Sequence, residues 1–245
     1  MRLGLAAGSA ALLAVLPAAR AAGQQTGLGR LVAQTQKSCT VSAAVGPLET
    51  PLSPEWARFL LDHPDLSASL VRSRGIAPYR ITMIGPRRSL ADDGDGTKGI
   101  VSLFESKPER RVYYCDGAHS SRLFPTIHAS AVVVMSLEPA PRPGRSAWIS
   151  SRFDVCVKLR NPLLAGMVHI LGPFVRRTIL RKFSKAFDSA QRLGVLLSKR
   201  PDALLAQILA YPGLSPQDRR LARRLAASLT PHAAASDVTK GPIYK

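Results

Sequence analysis

The stretch AWISSRFDVCVKL at residues 147–159, followed directly by RNPLLAGMVHILGPFVRRTILRKFSKAFDSAQRLGVLLSKR at 160–200, changes its hydrophobic period part-way and thereby sets the architecture. In the first part Ile149, Phe153, Val155, Val157 and Leu159 occupy one parity, the two-residue period of a half-buried strand. Asn161-Pro162 then supplies an N-cap and a first-turn proline. Beyond it Met167, Leu171, Phe174 or Val175, Ile179, Phe183, Phe187, Ala190 and Leu193 recur every three or four residues, which predicts a long helix with one apolar face. Arg176, Arg177, Arg181, Lys182, Lys185 and Arg192 fall between them, so the outer face is basic. Gly172-Pro173 is expected to kink or interrupt this helix.

Upstream, the runs at 38–45, 79–84, 99–106, 110–116, 122–127 and 130–137 are short and rich in Val, Ile, Tyr, Phe and Ser. Turn signals separate them, notably Asp93-Gly94-Asp95-Gly96, Lys107-Pro108-Glu109, Gly117-Ala118 and the proline-rich 139–144. No connection after Tyr79 is long enough for a crossover helix, so these runs and 147–159 predict an antiparallel sheet of about seven strands. Between the first strand and the second, Ser53-Pro54-Glu55-Trp56 opens a helix carrying Trp56, Phe59 and Leu60. A second short helix is expected at 66–74, ending at Gly75. Two more follow position 200: one at 202–211, and one starting at Ser215-Pro216-Gln217-Asp218 with Arg219, Arg220, Arg223 and Arg224 beside Leu221 and Leu225.

The N-terminus reads as an export signal. Met1-Arg2 gives a minimal positive region, residues 3–16 an uncharged apolar stretch, and Ala19-Arg20-Ala21 small residues at a cleavage site. An uncleaved anchor is the alternative. The expected organisation is thus a signal peptide at 1–21, a flexible lead-in at 22–37, a domain at 38–200, a basic helical extension at 201–230 and a disordered tail at 231–245. A periplasmic or secreted location follows from the signal. The net charge is +18, and residues 140–245 hold 19 basic against 5 acidic side chains. Outside the cytoplasm such a surface suits an anionic membrane surface or an envelope polyanion, or simply keeps the protein soluble. Nucleic acid is disfavoured, because no aromatic residues for base stacking are interleaved with the charges. Of the three cysteines, Cys39 shares the parity of Val41, Ala43 and Val45, whereas Cys156 opposes that of Val155 and Val157. Were those two strands neighbours, parity would put the cysteines on opposite faces, so no strongly stabilising disulfide is expected.

Strand, two short helices, further strands and a long C-terminal amphipathic helix is an order that resembles the helix-grip fold of the START-like (polyketide cyclase, lipid-transport, SRPBCC) superfamily. The resemblance covers about residues 38–199. Its best-matching pieces are the helix pair from Trp56 to Arg74 before Tyr79 and the helix after Pro162. It implies an α+β fold whose curved sheet wraps the last helix, with an apolar cavity between them for a lipid or other hydrophobic small molecule. Strand parity nominates Met83, Phe104, Tyr114, Met135, Ile149 and Phe153 as cavity residues, facing Met167, Leu171 and Phe174. The same residues would also serve as a solid core. Arg176, Arg177, Arg181, Lys182, Lys185, Arg219, Arg220, Arg223 and Arg224 are the candidates for contact with an anionic surface.

No complete catalytic motif is present. Asp92-Asp93-Gly94-Asp95-Gly96 lacks the remaining ligands of a calcium loop, since Ala91 and Ser102 stand where acidic residues are needed. His119 near Asp116, Ser120 and Ser121 has no nucleophile elbow around it. Neither the histidines nor the cysteines show metal-ligand spacing, and there is no glycine-rich phosphate loop, so no metal or cofactor is expected. Three functions remain open. The first is a non-enzymatic binder or carrier of a hydrophobic ligand. The second is a cyclase/aromatase-type enzyme using Tyr114, Arg152 or His169, and the third a cell-envelope scaffold docking through its basic helices.

Overall fold

The computed structural model describes residues 16–120, 126–140, 148–160 and 168–228, with side chains from residue 26 in the first segment and from 176 in the last. Seven strands form one open antiparallel sheet: β1 (Val41–Thr50), β2 (Arg80–Gly85), β3 (Arg88–Asp92), β4 (Thr97–Lys107), β5 (Arg110–His119), β6 (Ile127–Pro139) and β7 (Ile149–Leu159). Their order across the sheet is β1-β7-β6-β5-β4-β3-β2, so the last strand returns to pair with the first. The described helices are α1 (Leu16–Lys37), α2 (Pro54–Asp62), α3 (Pro64–Ser73), α4 (Val168–Lys199), α5 (Pro201–Leu209) and α6 (Pro216–Ala227). None is long and apolar enough to cross a membrane. The α+β class and the seven-stranded sheet agree with expectation; the strands are not quite the expected seven. Of the run at 122–127, residues 122–125 lie outside the described residues and β6 begins only at Ile127. The unexpected strand is β3, which turns back on β2 with Gly85 opposite Arg88 and carries only Leu90 and Ala91 as apolar residues. With Leu90 exposed, its alternation is too weak to mark a strand.

Local chemistry explains the helix starts. Ser53 Oγ accepts from the Trp56 N–H at 3.2 Å and Ser215 Oγ from the Asp218 N–H at 3.1 Å, each followed by a proline that lacks the donor a first turn cannot use. α4 runs as one element through Gly172-Pro173, where an interruption was expected. The start expected for it at Asn161-Pro162 lies outside the described residues, as do the segment 1–15 and the tail at 231–245.

Both faces of the sheet are covered. Register sets Val101, Cys115, Ala131 and Val157 in one row and Leu103, Tyr113, Val133 and Val155 in the next, all on the face under α4, where Ile179 and Phe183 lie. The opposite face carries Phe104, Val112, Tyr114, Val132 and Val134 and is capped by Leu28 and Val32 of α1. The stretch 22–37 is therefore no loose lead-in: most of it is a helix whose Val32 and Thr35 are buried on the sheet.

At one end of the α4 face the packing is dense. Trp56, Leu66, Leu70, Leu197, Leu204 and Ile208 have essentially no accessible side chain, and with Met135, Leu137 and Ile149 they join α2, α3, the end of α4, α5 and α6 in one core. Trp56 Nε1 donates to the Leu225 carbonyl at 3.2 Å. The segment expected as a basic extension is thus built into the main core through Leu204, Ile208 and Ala222.

Two glycines meet across neighbouring central strands of the sheet. Gly99 of β4 pairs with Gly117 of β5, and a Cβ on Gly99 would stand 2.5 Å from the Asp116 carbonyl oxygen. Only a residue without a side chain permits that approach of one backbone to the other.

Candidate functional site

The dense end of the α4 face gives way to a looser middle. Val101, Leu103, Tyr113, Cys115, Ala131 and Val133 form a contiguous, register-matched band over β4, β5 and β6, and every one is only partly buried although α4 lies across this face. Ala129 and Ile127 continue the band along β6 in the same half-buried state, and Ile179 and Phe183 approach it from α4. Cys115 makes the geometry explicit. Burial pushes its thiol pKa up to about 12, so protein surrounds it, yet its residue keeps accessible surface. Small residues, Gly99, Gly117, Ala129 and Ala131, lie side by side on this face, and close packing of it would require larger ones.

The nominated cavity residues divide between the two faces. Met135, Ile149 and Phe153 do lie on the α4 face, Phe153 with its ring centroid 5.3 Å from that of Phe183, but Met135 and Ile149 belong to the dense core. Phe104 and Tyr114 are on the opposite face, packed under α1. Two causes produced the misplacement. Phe104 keeps the parity of Ser102, which pairs with Tyr114, before a bulge that resets only Glu105 onward, and β5 is apolar on both faces because α1 covers the second one. Met83 has the α4-face parity but sits exposed near the free edge, beside exposed Ile84 and Leu90. Met167 lies outside the described residues, and the side chains of Leu171 and Phe174 are not described.

One polar group on this face escaped the sequence reading. Arg111 has the parity of Tyr113 and Cys115 and is buried at the inner end of the band, where Nη2 lies 2.8 Å from Asp62 Oδ1 of α2. Side by side, Arg110 and Arg111 look like a solvated pair at a strand start; counting parity back from Cys115 is the signal that separates them.

The basic surface is also redistributed. Lys182 bonds the Asp93 carboxylate and the Asp95 carbonyl (2.9 Å), and Lys185 reaches Asp95 Oδ2 at 3.1 Å, so both lysines fasten the β3–β4 hairpin tip onto α4. Asp93 Oδ1 in turn accepts from the N–H groups of Asp95 (2.7 Å) and Thr97 (2.9 Å). Burial works against the Asp93 charge, but these bonds outweigh it and hold the carboxyl below its usual value. Lys182 and Lys185 thus act as clasp residues, Lys185 while still exposed. Arg219 is half-buried and donates to the Tyr211 carbonyl at 3.1 Å. Arg176, Arg177, Arg181, Arg220, Arg223 and Arg224 are exposed as expected.

The cysteine expectation is overturned. β1 and β7 are neighbours, with Val41 opposite Val157 and Ser42 opposite Cys156, and the Cys39 and Cys156 sulfurs are bonded with their Cα atoms 5.5 Å apart. Cys39 precedes the first paired residue of β1, so the pleat does not fix its direction and the parity argument does not reach it. On this side, facing α1, Gln36, Ser42, Ala44, Asp154, Cys156 and Arg176 line an open groove of about 460 Å³. Among the described residues, no cluster of His, Cys, Asp or Glu has the geometry of a metal site.

No family model matches the sequence, and no curated protein is significantly similar to it. Among the solved structures similar to this chain are the following two. A conserved protein from Geobacillus kaustophilus is 16% identical with a TM-score of 0.44, over 64% of this chain and 95% of its own. A Thermobifida fusca protein solved by NMR is 16% identical with a TM-score of 0.31, over 64% of this chain and 93% of its own.

Proposed function

We propose that this protein is an exported, non-enzymatic binder of a hydrophobic ligand, held between sheet and long helix of a helix-grip, START-like fold. The observation that carries this reading is the band of half-buried apolar residues centred on Cys115 and Ala131, covered by α4 but not closely packed against it. An apolar space with adaptable walls and few polar groups is what a lipid-like guest requires. The strand order, which pairs β1 with β7, and the side-chain-free backbone approach at Gly99 and Gly117 suit a sheet that curves around a helix. Export is supported by the signal-like residues 1–21 and by the Cys39–Cys156 bond, which belongs in an oxidising compartment.

The enzyme reading finds less support. Of its candidate groups Tyr114 packs under α1 and Arg152 is exposed, and register puts both on the α1 face, away from the half-buried band under α4. For a membrane partner, the exposed arginines of α4 and α6 supply charge. The β2–β3 hairpin adds exposed Met83, Ile84 and Leu90 beside Arg80 and Arg88, a combination suited to an anionic interface. Sedimentation with anionic vesicles and not with neutral ones is the expected result; equal sedimentation with both removes this part.

The ligand is tested by expressing the chain with residues 1–21 intact, purifying it from the periplasm, and combining native mass spectrometry with organic extraction. A stoichiometric adduct that extracts as a lipid is expected. A bare mass that stays bare after incubation with envelope lipids refutes the reading.

A further inference from the structure

Arg111 carries an unusual deficit. Its side chain is 4% exposed, one nitrogen meets Asp62, and Nε and Nη1 make no hydrogen bond of ordinary geometry among the described residues, although the Tyr113 hydroxyl lies beside the guanidinium. A guanidinium out of water normally has its donors filled, and a buried donor left empty costs about 1–3 kcal/mol. Asp62 cannot fill them from where it stands. Its side chain is 54% exposed, on the solvent side of the pair, and its charge is correspondingly screened. What remains, among the described residues, is a buried positive group at the inner end of an apolar band, with two donors that only the neutral Tyr113 hydroxyl approaches.

The surroundings define what could accept from it. Next along β5 on the same face come Tyr113, then Cys115, with Val133 and Ala131 beside them on β6. Tyr113 is largely desolvated, its hydroxyl pushed above the usual tyrosine value by burial. From Arg111 to the far end of β5 at His119 the strand spans about 26 Å. A guest lying along it would meet one cationic donor group and then a long apolar wall. Guanidinium donates only, so the guest's polar end must accept, and the positive charge favours an anion over a neutral carbonyl or hydroxyl.

We propose that Arg111 anchors the carboxylate or phosphate head of an anionic amphiphile whose apolar tail lies along Tyr113, Cys115 and Ala131. The inference rests on the hydrophobic-ligand reading above and assigns its chemical class.

The test compares palmitate with hexadecan-1-ol, equal in chain and different in head, by titration calorimetry on delipidated full-length protein. The native protein should bind palmitate about tenfold to a hundredfold more tightly, the worth of a charge-assisted bond. Arg111→Gln should bring the two affinities together while leaving that for the alcohol unchanged. Should Arg111→Gln fail to fold, Asp62→Asn decides: it keeps the guanidinium, removes its internal competitor and should widen the preference for palmitate. Equal affinities in the native protein, or an Asp62→Asn variant with no wider preference, overturn the anchor and leave the cavity standing. Failure of both amphiphiles to bind overturns the cavity as well.

Discussion

Gly99 and Gly117 face each other across β4 and β5 so closely that a Cβ on either would collide with the other strand's backbone. The collision is with main-chain atoms, which cannot swing aside as a side chain could. Gly99→Ala or Gly117→Ala should therefore cost about 2 kcal/mol or more, beyond the small effect usual for such a change in a strand. Urea denaturation of each variant checks this. Full stability in both would mean that the two strands can part there without cost.

A looser middle and a tight end predict opposite responses to the same change. Ala131 lies in the half-buried band, and Ala222 has no exposed surface in the core formed by α2, α5 and α6. Ala222→Leu overpacks a filled site and should destabilise by about 1–3 kcal/mol. Ala131→Leu enters open space, should shift the unfolding free energy by under about 0.5 kcal/mol, and should abolish ligand uptake. Comparable losses in both variants would show that the band is solid core.

The clasp predicts a dependence on acid. Asp93 and Asp95 are held below the usual carboxylate value, Asp93 by Lys182 and backbone N–H groups against its burial, Asp95 first by Lys185. Because the folded chain holds these protons less tightly than the unfolded one, the stabilisation is complete above the unfolded value, near pH 4, and fades as pH falls through the lower folded values. Lys182→Met should lose about 1 kcal/mol at neutral pH, discounted because both side chains of the pair keep some solvent contact, and show a shallower acid limb. Stability curves for the two proteins from neutral pH down to pH 2 provide the check; superimposable acid limbs would mean that the lysine does not hold the tip.

What the sequence disclosed and what it hid have physical causes. Ser53-Pro54 and Ser215-Pro216 predict helix starts correctly because capping is local chemistry, complete within four residues. The α4 period is legible because Ile179, Phe183 and their neighbours face a single apolar surface. Phe104 and Tyr114 were assigned to the wrong face because alternation identifies a buried face only when the other is wet, and α1 keeps both dry. That helix was itself unreadable as a packing element: residues 22–37 are polar enough to pass for linker, with Val32 and Thr35 the buried exceptions. Arg111 was hidden for the reverse reason, since a charged residue at a strand start is ordinarily in water.

The bond between Cys39 and Cys156 ties the chain just before β1 to the middle of β7 across a separation of 117 residues. Closing so long a loop removes much of the unfolded chain's freedom, and loop-entropy arguments put the gain at about 5 kcal/mol. Cys156→Ser or reduction should lower the melting temperature by many degrees, with a smaller effect if the reduced chain keeps residual structure. Cys115 supplies the internal control. Its thiol, raised to about 12 by burial, is almost wholly protonated at neutral pH and should not react with a thiol reagent in the native protein. Denaturation without reductant should expose one reactive thiol per chain, and denaturation with reductant three. Three reactive thiols without reductant would show that the pair is not bonded, and would remove the strongest structural support for an oxidising compartment.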